Sequence, residues 1–145
     1  MAMWLLKTEP SVYSYADLER DGTTMWDGVT QPHALQNLRK IVDGDTALIY
    51  HTGDERAAVG IADVVRGYYV NPEQNDAKLA VCDVRAKERL PRAVTLSEIK
   101  AHAKLKDWDL VRLARLSIVP VDAEQWRILQ VLAKGERHEY CLTAD

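Results

Sequence analysis

The sequence predicts an α+β fold built on a curved sheet or small barrel, and three observations predict it. Strand-like runs recur at uneven spacing with short helical segments between them. Helix starts near Ser14, Thr95 and Asp122 carry side-chain caps, so several short helices interrupt the β pattern. Gly60, within Val59-Gly60-Ile61-Ala62, marks a bulge or a close backbone approach, and small residues there suit a strand that curls.

Taken in order, Met3 to Lys7 reads as a strand that stops at Pro10. Ser14-Tyr15-Ala16-Asp17 is a capping box opening a short helix that Asp21-Gly22 ends. Between Gln31 and Val42 the residues Ala34, Leu35, Leu38, Ile41 and Val42 recur at helical spacing, with Gly44 as the stop. Thr46 to His51 and Ala57 to Val65 are β-rich, joined through a hairpin-like Thr52-Gly53-Asp54-Glu55 turn. A loop from Asn71 to Asp76 precedes another strand, Leu79 to Ala86. Thr95 and Glu98 cap a helix ending near Ala103, and Leu116 to Val121 reads as a late strand. Asp122 with Gln125 caps an amphipathic helix carrying Trp126, Leu129, Val131 and Leu132, which Gly135 ends. The expected organisation is a single domain over 1–135 followed by a polar tail, 136–145.

Composition narrows the function classes. With 145 residues, 47% of them apolar and 28% charged, the chain can bury one core. No apolar run is long enough to span a membrane, and the N-terminus lacks the pattern of an export signal, so cytoplasm is the expected location. Cys82 and Cys141 make no disulfide framework, and none of the four histidines pairs at metal-site spacing. Neither metal nor cofactor is expected. A net charge of −3 argues against a protein that coats itself in phosphate contacts, because such binders are usually basic. Any nucleic-acid binding must then be local.

Four blocks carry chemistry, each at a predicted strand end or turn. In the first, alternation places Lys7 and Glu9 on one strand face and Trp4, Leu6 and Thr8 on the other. Trp26-Asp27-Gly28-Val29 reads as a turn before a helix, offering Trp26 either as a stacking platform or as a buried anchor with Asp27 as a cap. Tyr50-His51-Thr52 delivers three polar tips at the end of an apolar strand, with His51 as a site residue or a structural donor. Arg115-Leu116-Ser117 sets a guanidinium and a hydroxyl at the entry to the late strand, to grip a phosphate or to pair with an acid. Indole, imidazole, hydroxyls and mixed charges together suit a slot for a flat polar ring such as a nucleobase.

The chain resembles the EVE-domain proteins, the group that includes the thymocyte nuclear protein type. Trp4-Leu5-Leu6-Lys7-Thr8-Glu9-Pro10, Trp26-Asp27-Gly28-Val29, Gly44-Asp45, Tyr50-His51-Thr52, Val59-Gly60-Ile61-Ala62 and Arg115-Leu116-Ser117 with Pro120-Val121 carry the resemblance. They stand in the family's order and span about Met3 to Leu132. The resemblance implies a PUA-like fold, a small mixed β-barrel of five to six strands flanked by short helices, and a cavity for a modified nucleobase in DNA or RNA. Its implied ligand-binding residues are Lys7, Thr8, Glu9, Trp26, Asp27, Tyr50, His51, Thr52, Arg115 and Ser117. After the Trp26 block this chain runs Thr30-Gln31-Pro32-His33-Ala34-Leu35-Gln36, where many members carry two arginines and a tyrosine.

The leading expectation is a non-enzymatic reader of a modified base, with Trp26 stacking, Glu9, Asp27, Thr8 and Thr52 bonding ring edges, and Lys7, His51 or Arg115 steering the backbone. Extracting a base from a duplex costs a few kcal/mol, so the expected partner is single-stranded or partner-opened DNA or RNA. A small amidohydrolase acting on modified nucleosides, as in the related ASCH fold, is the alternative; Lys7, Thr8 and Glu9 are the right residue types, although alternation turns Thr8 away. A protein-binding adaptor would use the last helix around Trp126.

Overall fold

The computed structural model describes residues 2–73 and 79–135. The polar tail 136–145, with His138 and Cys141, lies outside the described residues, as do Gln74, Asn75 and Asp76 of the expected loop.

Among the described residues six strands form one mixed sheet. Strand β1 (Met3–Thr8) runs parallel to β3 (Thr46–His51) and antiparallel to β6 (Ile118–Val121). Antiparallel pairs then join β3 to β4 (Ala57–Val70), β4 to β5 (Ala80–Thr95), and β5 to β2 (Thr23–Trp26). The order is β2-β5-β4-β3-β1-β6. The α+β expectation and the strand number are met, but the edge strands β2 and β6 do not pair, so the sheet curls without closing into a barrel. Both faces of β1 are covered, with Leu5 and Leu6 fully buried, which explains its apolar run beside a parallel neighbour.

Helices α1 (Tyr15–Asp21), α3 (Leu96–Ala101) and α5 (Ala123–Ala133) start at the three capping boxes read from sequence. At each, the cap side chain accepts the N–H three residues on and the partner side chain returns the bond. Such a cap stabilises a helix by about 1 kcal/mol, a decisive amount for segments of six to eleven residues. Helix α2 is shorter than expected, Pro32–Leu38. Beyond it, Ile41 is buried in the core but Val42 is exposed. A further short helix, α4 (Asp109–Arg112), was not expected from the sequence.

Gly60 meets the expectation of both a bulge and a close approach. The β4–β5 register shifts between Ala58 and Gly60. The ring of Tyr15 packs directly on Gly60, where any Cβ would overlap it. Tyr15 is fully buried and its hydroxyl donates to Ile61 O at 2.7 Å, so α1 is clamped to the middle of β4. Trp126 is partly buried and packs against the core. No helix of the described residues is long and apolar enough to cross a membrane.

Candidate functional site

The end of β1 separates its side chains to two faces, as alternation requires. Thr8 donates through Oγ1 to Tyr13 O at 2.7 Å, while Lys7 Nζ donates to Ala114 O at 3.0 Å. The β1–β3 ladder keeps regular register through Thr8↔His51, so no bulge turns Thr8 toward Lys7. Glu9 lies just past the strand. Its carboxylate hangs over the β3–β4 turn, accepting from Thr52 Oγ1 at 3.4 Å and Ser11 Oγ at 3.3 Å. A Cβ at Gly53, where φ is +76°, would meet Glu9 Oε1 at 3.0 Å. Lys7, Thr8 and Glu9 therefore do not form one catalytic constellation.

On the Thr8 side a cleft of about 450 Å³ opens, lined by Thr8, Val12, Tyr13, Thr24, Met25, Trp26, Asp27 and Gly28. That volume falls in the range of small-molecule sites. Three strands separate β1 from β2 in the sheet order, yet both reach this cleft, so it marks the seam where the curled sheet stays open. The Tyr13 and Trp26 rings bridge the seam, with centroids 6.4 Å apart and planes at 86°. They form an aromatic corner. Trp26 is 7% exposed and lies at the end of β2, so it walls the cleft and is not a platform on a turn. Its indole N–H has no hydrogen-bond partner among the described residues, and because no buried polar side-chain atom lacks one, that N–H reaches solvent. Asp27 is exposed with no ion-pair partner among the described residues. Tyr13 bonds Asp21 Oδ2 at 2.9 Å, and burial holds its hydroxyl pKa above the ordinary value. The corner thus offers a donor, an acceptor and two ring faces.

Lys7 belongs to the other face. Its amine lies 5.9 Å from the Tyr50 ring centre, and burial lowers its pKa from the ordinary lysine value. Lys7 N–H donates to Ser117 O at 3.0 Å, which sets the Arg115-Leu116-Ser117 block beside the end of β1. Tyr50 is buried, which raises its pKa against the opposing charge of Arg56. Arg115 is exposed and makes no ion pair among the described residues.

His51 is a structural bridge. It is 7% exposed, and its Nε2 accepts the Tyr15 backbone N–H at 3.0 Å. Nδ1 must then carry the proton it donates to Glu55 Oε1 at 2.7 Å. Nε2 thus ties β3 to the start of α1 and Nδ1 ties it to the β3–β4 turn, so both ring nitrogens of this expected site residue are engaged within the fold. Of the ten expected site residues, Thr8, Trp26 and Asp27 share the cleft; Lys7 and Tyr50 meet on the opposite face of β1, with Ser117 bonded to Lys7 through main chain and Arg115 exposed two residues before it; and Glu9 and Thr52 meet at the strand ends. The single shared opening expected for all ten is not what the fold makes. Sequence reading missed Val12, Tyr13, Thr24 and Met25. The signal for Thr24 was there: as i and i+2 of a strand it shares a face with Trp26.

Comparison with known proteins bears on this geometry. The EVE domain family model matches residues 2–132. Thymocyte nuclear protein 1 of Gallus gallus is 30% identical over 169 residues, covering 93% of this chain and 70% of that protein. A solved structure from Rhodopseudomonas palustris superposes with a TM-score of 0.87 at 34% identity, covering 92% of this chain and 94% of that one. Human THYN1, solved in complex with 5-methylcytosine-containing DNA, superposes with a TM-score of 0.83 at 27% identity, covering 92% and 98%.

Proposed function

This chain belongs to the EVE-domain family, and on that premise we propose that it binds nucleic acid by holding a modified base, with 5-methylcytosine foremost, in the cleft beside Trp26. The observation that carries the reading is the aromatic corner with an unengaged indole N–H and a free carboxylate beside it. The human relative's complex with 5-methylcytosine-containing DNA supports the choice of base. In this reading a pyrimidine ring lies against Tyr13, edge-on to Trp26. The Trp26 N–H and Thr24 hydroxyl serve ring acceptors, and Asp27 accepts from an exocyclic amine, as carboxylates do from cytosine N4. Val12 and Met25 supply apolar surface for a methyl group.

Lys7, on the face of β1 opposite the cleft, and the exposed Arg115 are the proposed phosphate contacts. Tyr50 and Ser117 support them, and Glu9 with Thr52 orders the strand ends. With a net charge of −3, the electrostatic share of affinity is small. Single strands or partner-opened DNA are then the substrates, because flipping a paired base costs a few kcal/mol. No covalent step is needed, and the separation of Lys7 from Thr8 supports binding over hydrolysis.

The test is calorimetric titration with single-stranded DNA and RNA carrying 5-methylcytosine, 5-hydroxymethylcytosine, methylated adenine or no modification. One methyl group discriminates by about 1–3 kcal/mol, so a preference of roughly 5- to 150-fold is expected for the cognate mark. Equal affinity for every oligonucleotide, unaltered by Trp26→Phe, ends the proposal.

A further inference from the structure

Asp27 and Gly28 line two cavities. Besides the Trp26 cleft they border a depression of about 280 Å³ whose other walls are Val29, Thr30, Asn71, Leu79, Ala80 and Val81. We infer that this depression is a second subsite, which takes the base next to the modified one, so that the protein reads a two-nucleotide step. The inference rests on the base-binding reading and extends it to sequence context.

Three observations support it. Gly28 lines both cavities, and its φ is +80° with no heavy atom within 4 Å of where a Cβ would stand. At Gly28 the shared rim is therefore bare backbone, across which a sugar–phosphate linkage can pass while bases drop to either side. Second, the walls at Val29, Leu79, Ala80 and Val81 are apolar, as a base face requires.

Third, Asn71 is a buried polar side chain, 4% exposed, that lines this depression. Its Oδ1 is committed, accepting the Glu73 N–H at 2.9 Å, and its own N–H donates to Leu79 O at 3.2 Å. Its Nδ2 has no partner among the described residues. Among the described residues every polar side-chain atom sealed from solvent finds a partner, so this amide reaches solvent, on a side chain that lines the depression. A fixed donor beside apolar walls fits a base edge presenting a carbonyl or ring nitrogen. Asp27, on the shared rim, can serve either ring.

The experiment compares three probes by titration: the nucleoside 5-methyl-2′-deoxycytidine, dinucleotides placing it 5′ or 3′ of each base, and the same dinucleotides with an abasic neighbour. One neutral hydrogen bond with its contacts predicts that an intact neighbour binds about fivefold or more tighter than an abasic one, with a preference among the four bases. Asn71→Asp keeps the oxygen that holds Glu73 N–H but removes the donor. It is expected to erase the preference while leaving nucleoside affinity unchanged, which also reports an intact cleft. Nucleoside binding with no gain from an intact neighbour, or with a preference that survives Asn71→Asp, overturns this inference and spares the base-binding reading. Failure of nucleoside and dinucleotides alike overturns both.

Discussion

Trp4 and Trp26 are the same residue type, each near a strand end of one sheet, and almost equally buried at 6% and 7% exposure. Their chemistry differs because their neighbours differ. Trp4 donates its indole N–H to Asp45 Oδ2 at 3.0 Å, and the same carboxylate, 1% exposed, accepts the Ala2 and Val42 N–H groups at 3.0 Å each. Nothing there is left to offer a ligand. Trp26 faces a seam in which its N–H meets no described partner. Burial alone therefore does not distinguish an anchor from the wall of an open cleft; the state of the polar atom does.

The comparison breaks most visibly at Asp45. Asp45→Ala strands one buried and two part-buried donors, and urea unfolding should show a loss of about 3 kcal/mol, while base affinity of the folded fraction stays unchanged. A matched pair of conservative changes sharpens it. Trp4→Phe removes a hydrogen bond to a charged group and should cost about 1.5–3 kcal/mol of stability with no direct effect on binding. Trp26→Phe removes no internal hydrogen bond, so stability should change little while affinity for the cognate base falls severalfold. Equal stability losses from the two variants would show that Trp26 is also an anchor.

The smallest effect lies behind the cleft wall. Cys82 pairs with Trp26 across β2 and β5, and burial with the nearby Asp83 charge raises its thiol from the ordinary 9.0 to about 12. The folded state thus keeps a proton that the unfolded chain loses above pH 9. Stability should fall as pH rises from about 9 to about 12, by up to roughly 1.4 kcal/mol per pH unit for this group. Cys82→Ala should flatten part of that slope in alkaline denaturation, the remainder including Tyr69, whose hydroxyl is also raised to about 12, and the raised hydroxyls of Tyr13, Tyr15 and Tyr50. A slope untouched by Cys82→Ala would show that solvent reaches the back of the wall.

Features with local causes were legible. The capping boxes at Ser14, Thr95 and Asp122 start helices as read, since a cap involves only residues three apart. Alternation at Lys7 and Thr8 held for the same reason. Pairing that depends on distant partners was not legible. Strand β2 is four residues held by β5 some sixty positions away, so Trp26 looked like part of a turn. The second half of β5 hid behind its charges and Pro91. That proline is tolerated where the β4 register jumps from Gly60↔Arg89 to Ala58↔Val94 and β2 has already ended.

Residue order, then, decided the helix starts, the turn glycines, the apolar strands and which side chains of a strand part company. Which of those side chains share an opening was decided by the curl of the sheet, which carries β2 back to the end of β1 and leaves Lys7 and Tyr50 on the far side. The physical reason is range: caps and alternation act over two to four residues, whereas a seam exists only after five strand pairings have summed their twist.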